Sequence, residues 1–151
     1  MFRGHSYRNL DPKGRLMLPP EFREEVLRHD PEGRLMLTSF DDCVCGYPLP
    51  EWEGIEKSFM AVNVLNVRLR NLQRRIIAGA MEVTLDKQGR ILVPPHLRSY
   101  GALDKDVVLP GMVTKFEIWD QGRFEERLKA TDDNLDADMA ELAAAGFELR
   151  L

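Results

Sequence analysis

Short apolar runs, a few residues long and punctuated by Pro, Gly or Asp, dominate the first 120 residues and predict strands more often than long helices. A strand over 6–10 runs into a tight turn and a second strand over 15–18. The same pair recurs at 82–85 and 90–93. Pro-Pro ends each second strand, and the second proline suits the first turn of a short helix, 21–28 or 96–100. Two more strands follow in each half, 35–38 with 43–47 and 107–109 with 113–119. A helix then closes each half, opening at Pro50 and near Asp120. Between the halves, residues 55–79 read as helical. Leu65, Leu69, Leu72 and Ile76 form an apolar stripe there, with Arg68, Arg74 and Arg75 away from it.

The two halves are copies. Asn9-Leu-Asp-Pro-Lys-Gly-Arg-Leu-Met-Leu-Pro-Pro-Glu-Phe-Arg23 aligns with Thr84-Leu-Asp-Lys-Gln-Gly-Arg-Ile-Leu-Val-Pro-Pro-His-Leu-Arg98. Leu, Asp, Gly, Arg, both prolines and the closing Arg are identical. A weaker match pairs Leu37 with Leu109, Tyr47 with Trp119 and Trp52 with Phe124. The chain is therefore expected to divide into a first repeat (1–53), a helical connector (54–79), a second repeat (80–130) and an acidic C-terminal tail (131–151). The tail carries Asp132, Asp133, Asp136 and Asp138 before an Ala-rich run; one amphipathic helix and partial disorder are both open. The expected fold class is α+β, mainly β, with a barrel-like core made by interleaving the repeats or by packing subunits together.

Asp11-Pro12-Lys13-Gly14 fits a type I turn position by position. Asp bonds back to the backbone, Pro pre-sets φ, and Gly accepts a positive φ at a G1 bulge. Asp86-Lys87-Gln88-Gly89 repeats the pattern without the proline. Arg15 and Arg90 come first after each bulge. Period-two alternation places Leu16 and Leu18, or Ile91 and Val93, on one strand face. Arg15 with Met17, or Arg90 with Leu92, take the other. That second face is apolar beyond the arginine, so both faces are expected to be covered, with the turn projecting as a rigid tip. Two readings of the motif stand here: an arginine presented to nucleic acid, or one paired with its own aspartate to hold a hairpin.

Charge sharpens the first reading. Net charge is −4, yet residues 1–98 carry 15 Lys and Arg against 13 Asp and Glu, while residues 99–151 carry 6 against 12. Arg3, Arg8, Lys13 and Arg15 meet only Asp11 in the first twenty residues. Arg68, Arg70, Arg74 and Arg75 have no acid between them; they form a second phosphate-binding surface or a solvated face paired with Glu51, Glu53 and Glu56. Cys43 and Cys45 are badly spaced for a disulfide and too few for a metal site, and read as two small residues on one face of a buried strand. His5, His29 and His96 fit no catalytic motif, so an enzyme is not expected, nor a metal or other cofactor. The apolar stretch around 59–67, interrupted by Asn63 and Asn66, is too short to span a bilayer. The first five residues hold no apolar signal core, which predicts a cytoplasmic protein without a membrane partner.

To about residue 130 the chain resembles the MraZ family, transcriptional regulators related to AbrB-like swapped-hairpin proteins. The resemblance rests on Met1-Phe-Arg-Gly4, Asn9-Leu-Asp-Pro-Lys-Gly-Arg15, Tyr47-Pro-Leu-Pro-Glu-Trp52, Asp86-Lys-Gln-Gly-Arg90 and Lys115-Phe-Glu-Ile-Trp-Asp120. It implies two SpoVT–AbrB-type swapped-hairpin domains in one chain and a homo-oligomeric ring, octamer or dodecamer. It further implies a sequence-specific regulator, nucleoid-associated, that binds short direct repeats in double-stranded promoter DNA upstream of its own division and cell-wall gene cluster. The D-x-x-x-R motifs carry DNA contact over to Arg15 and Arg90. Lys13, Arg3 and Arg8 suit phosphate contact, Asn9 is a further candidate contact, and Asp11, Gly14, Asp86 and Gly89 form the turns. Arg8 and Lys13 flank the first turn where Val83 and Gln88 stand in the second, so the first is expected to be the stronger reader. The competing class is a protein-interaction or assembly module that does not bind DNA.

Overall fold

The alternating runs become strands that pair between the two halves as well as within them, in a computed structural model that describes residues 1–62 and 65–151. The first half supplies β1 (His5–Asn9), β2 (Arg15–Met17), α1 (Pro20–His29), β3 (Arg34–Phe40), β4 (Cys43–Pro48) and α2 (Leu49–Met60). After α3 (Val67–Ile76), the second supplies β5 (Met81–Thr84), β6 (Arg90–Leu92), α4 (Pro95–Tyr100), β7 (Asp106–Pro110) and β8 (Phe116–Asp120). Two helices follow, α5 (Gln121–Asp133) and α6 (Leu135–Ala144). Contacts group Met1–Gln121 into one unit and Gly122–Leu151 into another.

The architecture is α+β with antiparallel pairing, as expected, but it is not mainly β: helices hold more of the described residues than strands do. Six strands lie in the order β1-β7-β8-β4-β3-β5, and β2 pairs with β6 as a separate two-stranded ribbon. Thus β1 of the first repeat lies along β7 of the second, Tyr7 opposite Val108, and β5 of the second lies along β3 of the first, Met36 opposite Glu82. Hydrogen bonding among the described residues runs as an open sheet plus this ribbon.

Equivalent positions of the two repeats fill one core. Leu16 and Ile91, Leu18 and Val93, Phe22 and Leu97 are each at most 2% exposed. Each such side chain contributes about 1.5–3 kcal/mol by leaving water. The Phe2, Phe22 and Phe116 rings meet at centroid distances of 5.2–5.4 Å. Gly46 of β4 lies opposite Phe116 of β8, and any Cβ there would enter the Phe116 ring. Pro19 and Pro94 take extended φ/ψ at the N-caps of α1 and α4, so Pro20 and Pro95 stand at the first helical position, where the missing N–H costs nothing.

Three expectations are revised. The connector is not one helix: α2 ends at Met60, and α3 restarts at Val67. Asn66 caps that restart, its side chain accepting from the Arg68 and Leu69 amides. Residues 63 and 64, Asn63 among them, lie outside the described residues. The strand expected over 113–119 begins only at Phe116, because Val113 takes a positive φ of 66° in the loop before it. Finally, the outer face of the β2–β6 ribbon is open within one chain: Leu92 is 55% exposed and Met17 half-buried. No described helix is long and apolar enough to cross a membrane.

Candidate nucleic-acid interface

Both expected turns form, and in the same way. Gly14 N–H donates to Asp11 O at 2.9 Å and Gly89 N–H to Asp86 O at 3.0 Å, with φ of 90° and 78° at the glycines. The Asp11 carboxylate accepts the Lys13 and Arg15 amides on Oδ1, and the Asp86 carboxylate accepts those of Gln88 and Arg90. Each aspartate then uses Oδ2 to accept its own arginine's Nε–H, at 2.6 Å from Arg15 and 2.9 Å from Arg90. The pairing is side-on. Among the described residues neither arginine makes a hydrogen bond through its Nη groups. The aspartate therefore aims the guanidinium and leaves its two-pronged end available.

Backbone hydrogen bonding, chiefly from the arginine amide, holds the Asp11 and Asp86 carboxyls below the ordinary carboxylate value, against some desolvation. A depressed folded pKa stabilises the turn fully above the unfolded value near 3.8, and that contribution is lost as pH falls through the folded value. An NMR titration of the Lys13 and Gln88 amides is expected to inflect below pH 3.8. An inflection above that value contradicts the assigned geometry.

The ribbon brings the arginines of both repeats onto one face. Arg15 lies opposite Leu92 and Arg90 opposite Met17, so the arginines are diagonal neighbours with Cα atoms ~7–8 Å apart. Leu16 and Ile91, paired between them, point into the core. The remaining candidates divide. Asn9 is exposed and, with Asp11 and Pro12, lines a hollow also bounded by Arg98, Asp104 and Lys105. Lys13 sits on the turn itself. Arg8 turns to the other face of β1, where its Nε donates to Ser6 Oγ at 2.9 Å. Arg3 follows Phe2, which packs on Phe22 of α1, and is separated from the first turn by roughly 25 Å of extended chain.

Two features escaped the sequence reading. The first is a third copy of the motif, Asp30-Pro31-Glu32-Gly33-Arg34, between α1 and β3. Here Arg34 gives both Nε and Nη2 to the two oxygens of Asp30, at 3.0 and 2.9 Å, and Glu32 lies 3.5 Å away. In this form of the turn the arginine is held side-on by two bonds, with one Nη engaged as well as Nε. The second is a set of long-range neighbours that adds to the asymmetry already expected between the two turns. Lys105 places its carbonyl on the Leu10 amide beside the first turn, whereas Gly33 O takes the Leu85 amide beside the second. The hollow at the second turn sets Glu24, Glu32 and Asp86 against Arg23 and Lys87, whereas that at the first sets Asp11 and Asp104 against Arg98 and Lys105. Local charge thus favours an anion at the first turn.

Away from the ribbon, Cys43 and Cys45 are fully buried on β4 as expected, their sulfurs 3.9 Å apart. With Glu117 they form a donor cluster, into which Lys115 brings its ammonium, 3.8 Å from Cys45 Sγ and 3.5 Å from Glu117. That lysine places a positive charge beside the cluster. On α3, Arg75 lies over the Tyr100 ring at 4.7 Å. Among the described residues no ion pair links Arg68, Arg74 or Arg75 to Glu51, Glu53 or Glu56.

Comparison with known proteins agrees with the repeat. The profile of a family described as "MraZ protein, putative antitoxin-like" matches residues 1–75 and again 76–145. A protein of Solidesulfovibrio magneticus named Transcriptional regulator MraZ is 64% identical over 99% of both chains. Proteins of the same name from Nitratidesulfovibrio vulgaris and Pseudomonas fluorescens are 47% identical over 100% of this chain and 99% of the relative, and 43% identical over 83% of each.

Proposed function

Because the chain belongs to the MraZ family, whose members are transcriptional regulators and not enzymes, we propose that it regulates transcription by reading double-stranded DNA with the outer face of the β2–β6 ribbon. The observation that supports this most is the side-on pairing, which leaves the Nη ends of Arg15 and Arg90 unbonded on one open face. A guanidinium end suits guanine O6 and N7, and the ~12 Å major groove admits a two-stranded ribbon. The exposed Leu92 and half-buried Met17 beside the arginines suit thymine methyl groups. Lys13, and more distantly Arg3 and Arg8, supply phosphate contacts that fix register, and Asn9 stands beside them.

The repeats (1–53 and 80–130), joined by the connector (54–79) and followed by the acidic tail (131–151), act in this reading as two swapped-hairpin domains. The ribbon closes their sheet into a barrel. Subunits form a ring in which weak single contacts on short direct repeats reinforce one another, the second contact being made at high effective concentration. The half-buried Leu69 and exposed Leu72 of α3 face neighbours in that ring, while a rim of first turns faces DNA. The protein acts in the cytoplasm, on the nucleoid, at the promoter of its own division and cell-wall gene cluster.

Salt separates this reading from an assembly module. Affinity for the DNA upstream of its own gene is expected to fall linearly on a log–log plot, by about 0.9 per phosphate contacted. A flat response, equal on shuffled DNA, identifies a protein that does not read DNA.

A further inference from the structure

The two reading turns are each clasped by an arginine from the other repeat. Arg98 of α4 lies against Gly14 of the first turn, where a Cβ would meet its Nε and Cζ at 2.8 Å. Its Nε donates to Val93 O at 3.0 Å, and the Val93 amide donates to Gly14 O at 2.8 Å. Turn, strand end and helix are thus closed into one loop of contacts. Arg23 of α1 occupies the equivalent place against Gly89, with Cζ 3.0 Å from a Cβ built there, and the Leu18 amide reaches Gly89 O at 3.2 Å. The second clasp is incomplete: Arg23 Nε is buried and has no hydrogen-bond partner among the described residues. The amide bond that accompanies it is also the longer of the two.

We propose that Arg98 is a positioning residue for DNA reading: it locks the first turn so that Arg15 meets the bases in one orientation, while the unfinished Arg23 clasp leaves the second turn looser. This rests on the ribbon reading above. Both arginines are identical in the repeat alignment, which is the signal in the sequence that marks them. The positions of Gly14 and Gly89 follow from the same packing, because a side chain there would have to displace the clasping guanidinium. A fixed turn discriminates between bases because a guanidinium held in place cannot adapt to the wrong pattern of acceptors. A loose turn contacts DNA without choosing.

The test uses the full-length protein and three variants, Arg98→Met, Arg98→Lys and Arg23→Met. Met keeps the apolar stem and loses the donor; Lys keeps a donor. Two readouts are taken. Hydrogen–deuterium exchange by mass spectrometry, without DNA, is expected to quicken about tenfold or more in the peptide holding Gly14 for Arg98→Met, and to recover in Arg98→Lys. Arg23→Met is expected to leave exchange at the second turn nearly unchanged. The ratio of affinities for duplex DNA from upstream of its own gene and a shuffled duplex is expected to fall about tenfold or more in Arg98→Met, with the salt slope unchanged. Unchanged exchange overturns the clasp. Quickened exchange with an unchanged ratio overturns the positioning role. A slope lowered by about 0.9 with the ratio preserved makes Arg98 a phosphate contact instead. If the wild type shows no preference between duplexes, the ribbon reading fails and the positioning role with it, while exchange still reports separately on the clasp.

Discussion

Arg15→Ala is expected to lose more than about a hundredfold in affinity for its specific DNA while the assembly stays intact. One bidentate guanidinium–guanine contact discriminates by about 1–3 kcal/mol. In the proposed ring, several subunits engaging repeated sites multiply that loss, since each missing contact also removes the effective concentration it gave the next. The fold survives the change because Asp11 keeps its bonds to the Lys13 and Arg15 amides, which are backbone groups, and Leu16 stays in the core. Arg90→Ala, in the more acidic surroundings of Glu24 and Glu32, is expected to lose less. Equilibrium titration with light scattering on the same samples decides the matter. Loss of the oligomer in Arg15→Ala would assign the arginine to the turn alone, and equal losses in both variants would remove the asymmetry.

The largest effect on stability is expected at the opposite side of the fold's logic, at Phe116. Its ring is fully buried between Phe2 and Phe22 and fills the space that Gly46 leaves open. Phe116→Ala removes those contacts and opens a cavity that a strand pinned between β4 and β7 cannot collapse into. About 3–5 kcal/mol is the expected cost. That is a large part of a typical domain's total stability, and corresponds to roughly 10 °C or more in Tm. Leu92→Ala, on the open ribbon face, is expected to change Tm by no more than about 2 °C. Thermal melts of the two variants check both numbers, and a shift of under about 3 °C for Phe116→Ala would contradict the packing described.

Local chemistry was readable in advance and long-range pairing was not. The two turns were legible because Asp, Gly and Arg at fixed offsets determine their hydrogen bonds within five residues. The pairing of β1 with β7 and of β3 with β5 depends on contacts between distant segments, and period-two alternation is silent about the partner. The same limit explains the open ribbon face: Met17 and Leu92 look like covered positions, yet within one chain Leu92 is exposed and Met17 only half-buried. The helix break before Val67 did carry a signal, an asparagine suited to an N-cap, which the leucine periodicity masked. At the site, the motif takes two pairing geometries. Arg34 is consumed by its aspartate, whereas Arg15 and Arg90 are aimed by theirs. No one-dimensional pattern separates Asp30-Pro-Glu-Gly-Arg34 from Asp11-Pro-Lys-Gly-Arg15; the difference lies in which nitrogens reach the carboxylate.

The central claim, that the ribbon reads specific DNA through Arg15, is tested most directly by a footprint on the DNA upstream of the protein's own gene, with wild type and Arg15→Ala side by side. Protection of regularly spaced short repeats by the wild type and none by the variant is the expected result. Absence of any protected repeat with the wild type, or equal protection by both proteins, would contradict it.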